Sequence, residues 1–187
     1  MHSSVIKDIK AVLDAAHSAV KRKNYVLLDN LSNRLNHSAA IHQDREISLC
    51  AVAVFALSKI FTNEKYLTDP NFPGFRNDVL ANLKAARKVI GTDTKRYEGH
   101  LRLVENSVKR FDEKLKLYQT PLLTYARAKK ASHAIEHGLS VSQASKLFNV
   151  PNWELSKHTG KSVSKHYAST KFNKQRIELL KRLFRIK

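Results

Sequence analysis

The chain is poor in the residues that punctuate or staple a polypeptide. Only five Gly and four Pro occur in 187 residues. No apolar–polar alternation lasts long enough for a sheet, so nearly everything reads as helix. A single cysteine, Cys50, excludes an internal disulfide. Its neighbours from Ser48 to Val54 are small and mostly apolar, which fits a buried inert thiol better than a nucleophile. No apolar run approaches the length that spans a bilayer. The opening MHSSVIKDIK carries Asp and Lys and has no uninterrupted apolar core, so a signal peptide is not expected, and a cytoplasmic location is. No Walker loop, dinucleotide glycine turn or nucleophile elbow occurs.

Acidic residues are also scarce. Asp+Glu number 16 against 34 Lys+Arg, a formal net charge of +18. Such an excess repels itself in a compact fold and is better tolerated beside a polyanion. Nucleic acid is the first candidate partner and an anionic membrane surface the second. The excess is uneven: residues 121–187 hold 14 basic against 3 acidic residues, and residues 1–120 hold 20 against 13. The C-terminal third has the denser positive field.

Hydrophobic residues make up 42% of the chain, enough for a globular core. Val5, Ile9, Val12, Leu13, Ala16 and Val20 are spaced for one helix, and Leu27, Leu28, Leu31 and Leu35 for a second over 25–36. Residues 38–62 are the most apolar and are expected to form a central helix. TDPNFPGF, residues 68–75, reads as a loop, with helix resuming at 75–90 until Gly91 stops it. Tyr97, Leu101, Val104, Val108, Phe111 and Leu115 mark a helix over 94–118. Pro121 interrupts the pattern. The expected architecture is all-α: a helical bundle over 1–118, then a basic region over 121–187 with helices at 122–137, within 140–158, and at about 174–184.

Residues 140–158, SVSQASKLFNVPNWELSKH, carry the sharpest signal. Ala144 and Ser145 are small enough for close helix approach. Leu147 and Phe148 are apolar. Asn149 tolerates a left-handed turn, Pro151 suits a helix start, and Leu155 follows Val150 by five. This segment resembles the helix-turn-helix superfamily, with Ser145 where Ala is usual and Asn149 where Gly is usual. The resemblance implies that Pro151–His158 enters the major groove of duplex DNA, displaying Asn152, Ser156, Lys157 and Trp153. Asn152 would address an adenine edge and Lys157 a guanine or a phosphate. Ser140, Ser142 and Gln143 would meet phosphate at the start of the preceding helix. Lys129, Lys130, Lys161 and Lys165 would add sequence-independent attraction. Trp153 also suits a core position, which is its commoner role at such spacing. Two half-sites would call for a homodimer, built through the N-terminal bundle.

Two further groups are weighed. RLNHSAAIHQDRE, residues 34–46, is similar in residue type to the Arg–His motif of the all-helical HEPN ribonucleases, which would make Arg34 and His42 catalytic. The intervals from Arg34 to His37 and to His42 both depart from that motif, and the simpler reading makes Asn36, Ser38 and Asp44 caps and the histidines interface or surface residues. His133 and His137 share a helical face, but two histidines do not close a zinc site. No metal or cofactor is expected, and no catalytic residue is assigned. The leading expectation is a non-enzymatic DNA-binding protein, a transcription regulator or nucleoid-associated factor. The alternative is a structured-RNA or ribosome-associated binder.

Overall fold

A computed structural model describes residues 3–115, 117 and 120–159, with side chains of the last helix described to Ser156. The described residues are all-helical: α1 (Ser3–Lys21), α2 (Leu27–His42), α3 (Arg45–Phe61), α4 (Glu64–Leu67), α5 (Phe72–Val89), α6 (Thr94–Leu115), α7 (Leu122–Glu136), α8 (Val141–Phe148) and α9 (Asn152–Thr159). Among them no helix is long and apolar enough to cross a membrane. The amphipathic helix expected at 174–184 lies outside the described residues.

Helix α3 is the hub. Thirteen of its side chains are buried, because it packs against α1, α2, α4, α6, α7 and α8. A helix apolar on every side can be satisfied only by such surroundings. Cys50 lies wholly inside it, and burial pushes its thiol up to about 12, so the thiolate needed for nucleophilic chemistry is not formed near neutrality.

The break between α2 and α3 falls later than periodicity suggests. Helix α2 runs on to His42, Gln43 adopts the left-handed conformation, and Asp44 caps α3 by accepting the amides of Glu46 (2.9 Å) and Ile47 (3.2 Å). The short polar turn is set by that cap. Helix α5 likewise starts before the expected position, since Pro73 sits in its first turn, where a missing N–H costs nothing. Gly91, with φ +88°, closes α5 where a Cβ would lie 3.0 Å from Ile6.

Helices α5 and α6 form an antiparallel pair against α1 and α3. Phe61, Phe72, Phe75 and Phe111 gather at one end, with the Phe75 and Phe111 rings stacked 4.6 Å apart. There Asp112, buried at the end of α6, accepts the Tyr66 hydroxyl and the Leu122 amide (2.8 Å). The second bond fixes the N-terminus of α7 to the bundle. Helix α7 also packs on α2 and α3, and the buried core runs from Val5 to Leu155 without a gap at Pro121.

Candidate nucleic-acid interface

The last three described helices pack pairwise. Ala126, Ala128, Ala131 and Ala134 put small buried faces on α7, which lets its neighbours approach closely. Gly138, with φ +101°, ends α7, and the Leu139 amide reaches back to the Ala134 carbonyl at 3.2 Å. That six-to-one bond and a buried Leu139 make a Schellman-type stop.

Helix α8 begins with a complete capping box. The Ser140 hydroxyl accepts the Gln143 amide (3.2 Å), and the Gln143 side chain accepts the Ser140 amide (2.9 Å). Both side chains are exposed, as is Ser142, but the first two already satisfy each other locally. At the other end Asn149 is left-handed, φ 52° and ψ 56°. The Val150 amide bonds the Ser145 carbonyl at 3.0 Å, and the Ser145 hydroxyl donates to the Val150 carbonyl at 2.6 Å. Ser145 therefore ties both strands of the corner, which an alanine there could not do. Helix α9 starts at Asn152, with the Pro151 carbonyl accepting from Glu154 and Leu155.

Four apolar side chains anchor the corner: Ala144, Phe148, Val150 and Leu155 are all buried. The opposite face of α9 presents Asn152, Trp153 and Ser156 to solvent. Trp153 is 63% exposed, so the reading of this ring as core is corrected: Leu155 turns inward and Trp153 lies two residues from it, on another side of the helix. The Ser156 hydroxyl donates back to the Asn152 carbonyl at 2.9 Å. The Lys157 side chain, Lys161 and Lys165 lie outside the described residues.

The basic residues divide. Lys129 is exposed on α7. Lys130 is not available to a surface polyanion: it is 2% exposed. Its Nζ donates to Asn33 Oδ1 at 2.7 Å and sits 4.3 Å from the centre of the Phe55 ring. The packing of α7 between α2 and α3 turns this one lysine inward. Burial is the main cause that lowers its amine to about 8.

The Arg34–His42 pairing does not assemble. Arg34 forms an exposed ion pair with Asp8 on α1, and about 12 Å of helix axis separates it from His42. His37 instead meets His137 edge-on at 4.9 Å, and His137 meets His133 at 4.7 Å. Asn36 Nδ2 lies 3.2 Å from His133 Nδ1. Burial lowers His133 and His137 below the usual histidine range, and the neighbouring histidine adds to this in each case. No group of three metal-ligating side chains suited to a metal ion occurs among the described residues.

Arg45, Arg102 and Arg127 converge beside Asn149 from α3, α6 and α7. They are far apart in sequence, and no spacing pattern joins them. Comparison with protein-family models, with curated proteins and with solved structures finds no match for this chain.

Proposed function

We propose that this chain is a nucleic-acid-binding protein that takes duplex DNA through a helix-turn-helix formed by α8 and α9, with α7 as the supporting helix. The observation that carries the reading is the α8–α9 corner. A left-handed Asn149, a buried Val150 and a buried Leu155 fix α9 so that Asn152, Trp153 and Ser156 face outward. The net charge of +18 supplies the attraction that such a helix needs before it can read base edges. Capture is electrostatic, and α9 then enters a major groove, where Asn152 has the donor–acceptor pair that matches adenine. The protein is non-enzymatic in this reading and acts in the cytoplasm on nucleoid DNA. Two copies, joined through the bundle, would address two half-sites.

The test is a salt titration of binding with random duplex DNA and with a folded RNA. Each phosphate neutralised steepens the log–log slope by about 0.9 on duplex DNA. DNA preferred at every salt concentration, with site preference lost in an Asn152→Ala/Lys157→Ala double variant, supports the reading. RNA preferred throughout would reduce the corner to a scaffold and make the chain a structured-RNA binder.

A further inference from the structure

A cleft of about 60 Å³ opens where α3, α6, α7 and α8 meet, next to Asn149 at the α8–α9 corner. Val52 and Phe148 contribute to its apolar floor, and its polar lining includes Arg45, Arg102, Arg127 and Glu105. Glu105 is 5% exposed. Its Oε2 accepts from Arg127 at 3.0 Å, whereas its Oε1 is buried and has no hydrogen-bond partner among the described residues. A buried carboxylate oxygen left unmatched is costly and calls for a donor. The three guanidiniums call for the reverse. Among the described residues, Glu105 offsets one, Arg102 has only a long exposed contact to Glu98 (3.6 Å), and Arg45 has no ion-pair partner.

The occupant that answers both demands is an anion that brings its own proton. Inorganic phosphate keeps at least one proton throughout the neutral range, and a phosphate monoester keeps its last one up to about pH 6. One oxygen can then donate to Glu105 Oε1, once the carboxylate turns to bring that fully buried atom to the cleft, while the others accept from the arginines in charge-assisted bonds. Sulfate and internal phosphodiesters have no such proton at neutral pH and would face the carboxylate with a bare oxygen. The volume agrees, since about 60 Å³ is several times the roughly 10–15 Å³ that one water requires. It admits a tetrahedral oxyanion and leaves any attached group at the mouth.

We propose that this cleft binds a protonated phosphate group, either free inorganic phosphate or a terminal phosphate monoester. The site stands whether or not α9 enters DNA, because none of its lining belongs to the outward face of α9.

Calorimetric titration of the full chain with inorganic phosphate and with sulfate, at about pH 5.5, where a monoester also keeps its proton, and equal ionic strength, tests it. The expected result is phosphate bound about tenfold more tightly than sulfate, the size of one hydrogen bond to a charged group. Arg45→Ala, at an exposed position, should weaken both anions without altering the melting temperature. Glu105→Gln, whose amide can donate to sulfate, should abolish or reverse the preference. Competition by a 5′-phosphorylated oligonucleotide, but not by its 5′-hydroxyl counterpart, would identify the monoester as the source. Competition by neither would identify free phosphate. Equal affinity for the two anions in the unaltered chain, no effect of Arg45→Ala, or no binding at all would overturn the proposal.

Discussion

Lys130 offers a quantitative test of how α7 is seated. Its ammonium is almost fully buried, with Asn33 Oδ1 and the Phe55 ring as partners. Burial is the chief reason that the amine falls from 10.5 to about 8; Asp29 opposes the shift, while Lys59 and Lys129 add to it. Below about pH 8 both folded and unfolded chains hold the proton, and the contribution to stability is flat at its least favourable value. Between about 8 and 10.5 the unfolded chain binds more protons than the folded one, so stability rises with pH. At about 1.4 kcal/mol per pH unit, the interval is worth about 3 kcal/mol. Lys130→Met fills similar space, removes the buried charge and should leave the protein at least as stable at pH 7. Urea melts of the two proteins from about pH 7 to 10.5 measure the effect. Other titrations cancel in the difference, so the unaltered chain should gain about 3 kcal/mol on Lys130→Met across the window. Parallel curves over that range would refute the placement of a charged amine inside the α2–α3–α7 packing.

Other perturbations probe the corner, the α7 anchor and the histidines. Asn149 is exposed and left-handed, so Asn149→Ala should cost about 1 kcal/mol and lower Tm by about 2–4 °C, whereas Asn149→Gly should not. Equal melting of the two variants would contradict the turn. Asp112→Ala removes the acceptor of both Tyr66 and the Leu122 amide. It should cost about 2–3 kcal/mol and speed hydrogen exchange at the start of α7, while unchanged exchange there would show that the anchor is not needed. His133 and His137 are lowered, chiefly by burial, below 6.5. The unfolded chain therefore takes up protons first on acidification, and stability should fall as pH drops through 6.5. His137→Gln should flatten that decline in Tm measured from neutral to mildly acid pH.

The helical class, and most of the helices, were legible in the sequence, because apolar spacing alone specifies them. Val5 to Val20 on α1 and Tyr97 to Phe111 on α6 recur at helical intervals and are buried as that spacing requires. The local chemistry of residues 140–155 was legible for the same reason: a Ser/Gln cap, an Asn that tolerates positive φ and a Pro at a helix entry act within a few residues of themselves. The α2–α3 break was legible only in part: Asp44 reads as a cap and is one, but Asn36 and Ser38, equally able to cap, lie buried inside α2, which runs on to His42.

Only the tertiary structure decided which side chains face inward. Lys130 and Lys129 are adjacent and chemically identical, yet the packing of α7 against α2 and α3 buries one and exposes the other. Trp153 has the size of a core residue but is exposed, because Leu155 already anchors α9. The cleft is the extreme case. Arg45, Arg102, Arg127 and Glu105 come from three helices and meet only after those helices pack. Periodicity is a property of one segment, whereas convergence between segments is fixed by how they pack.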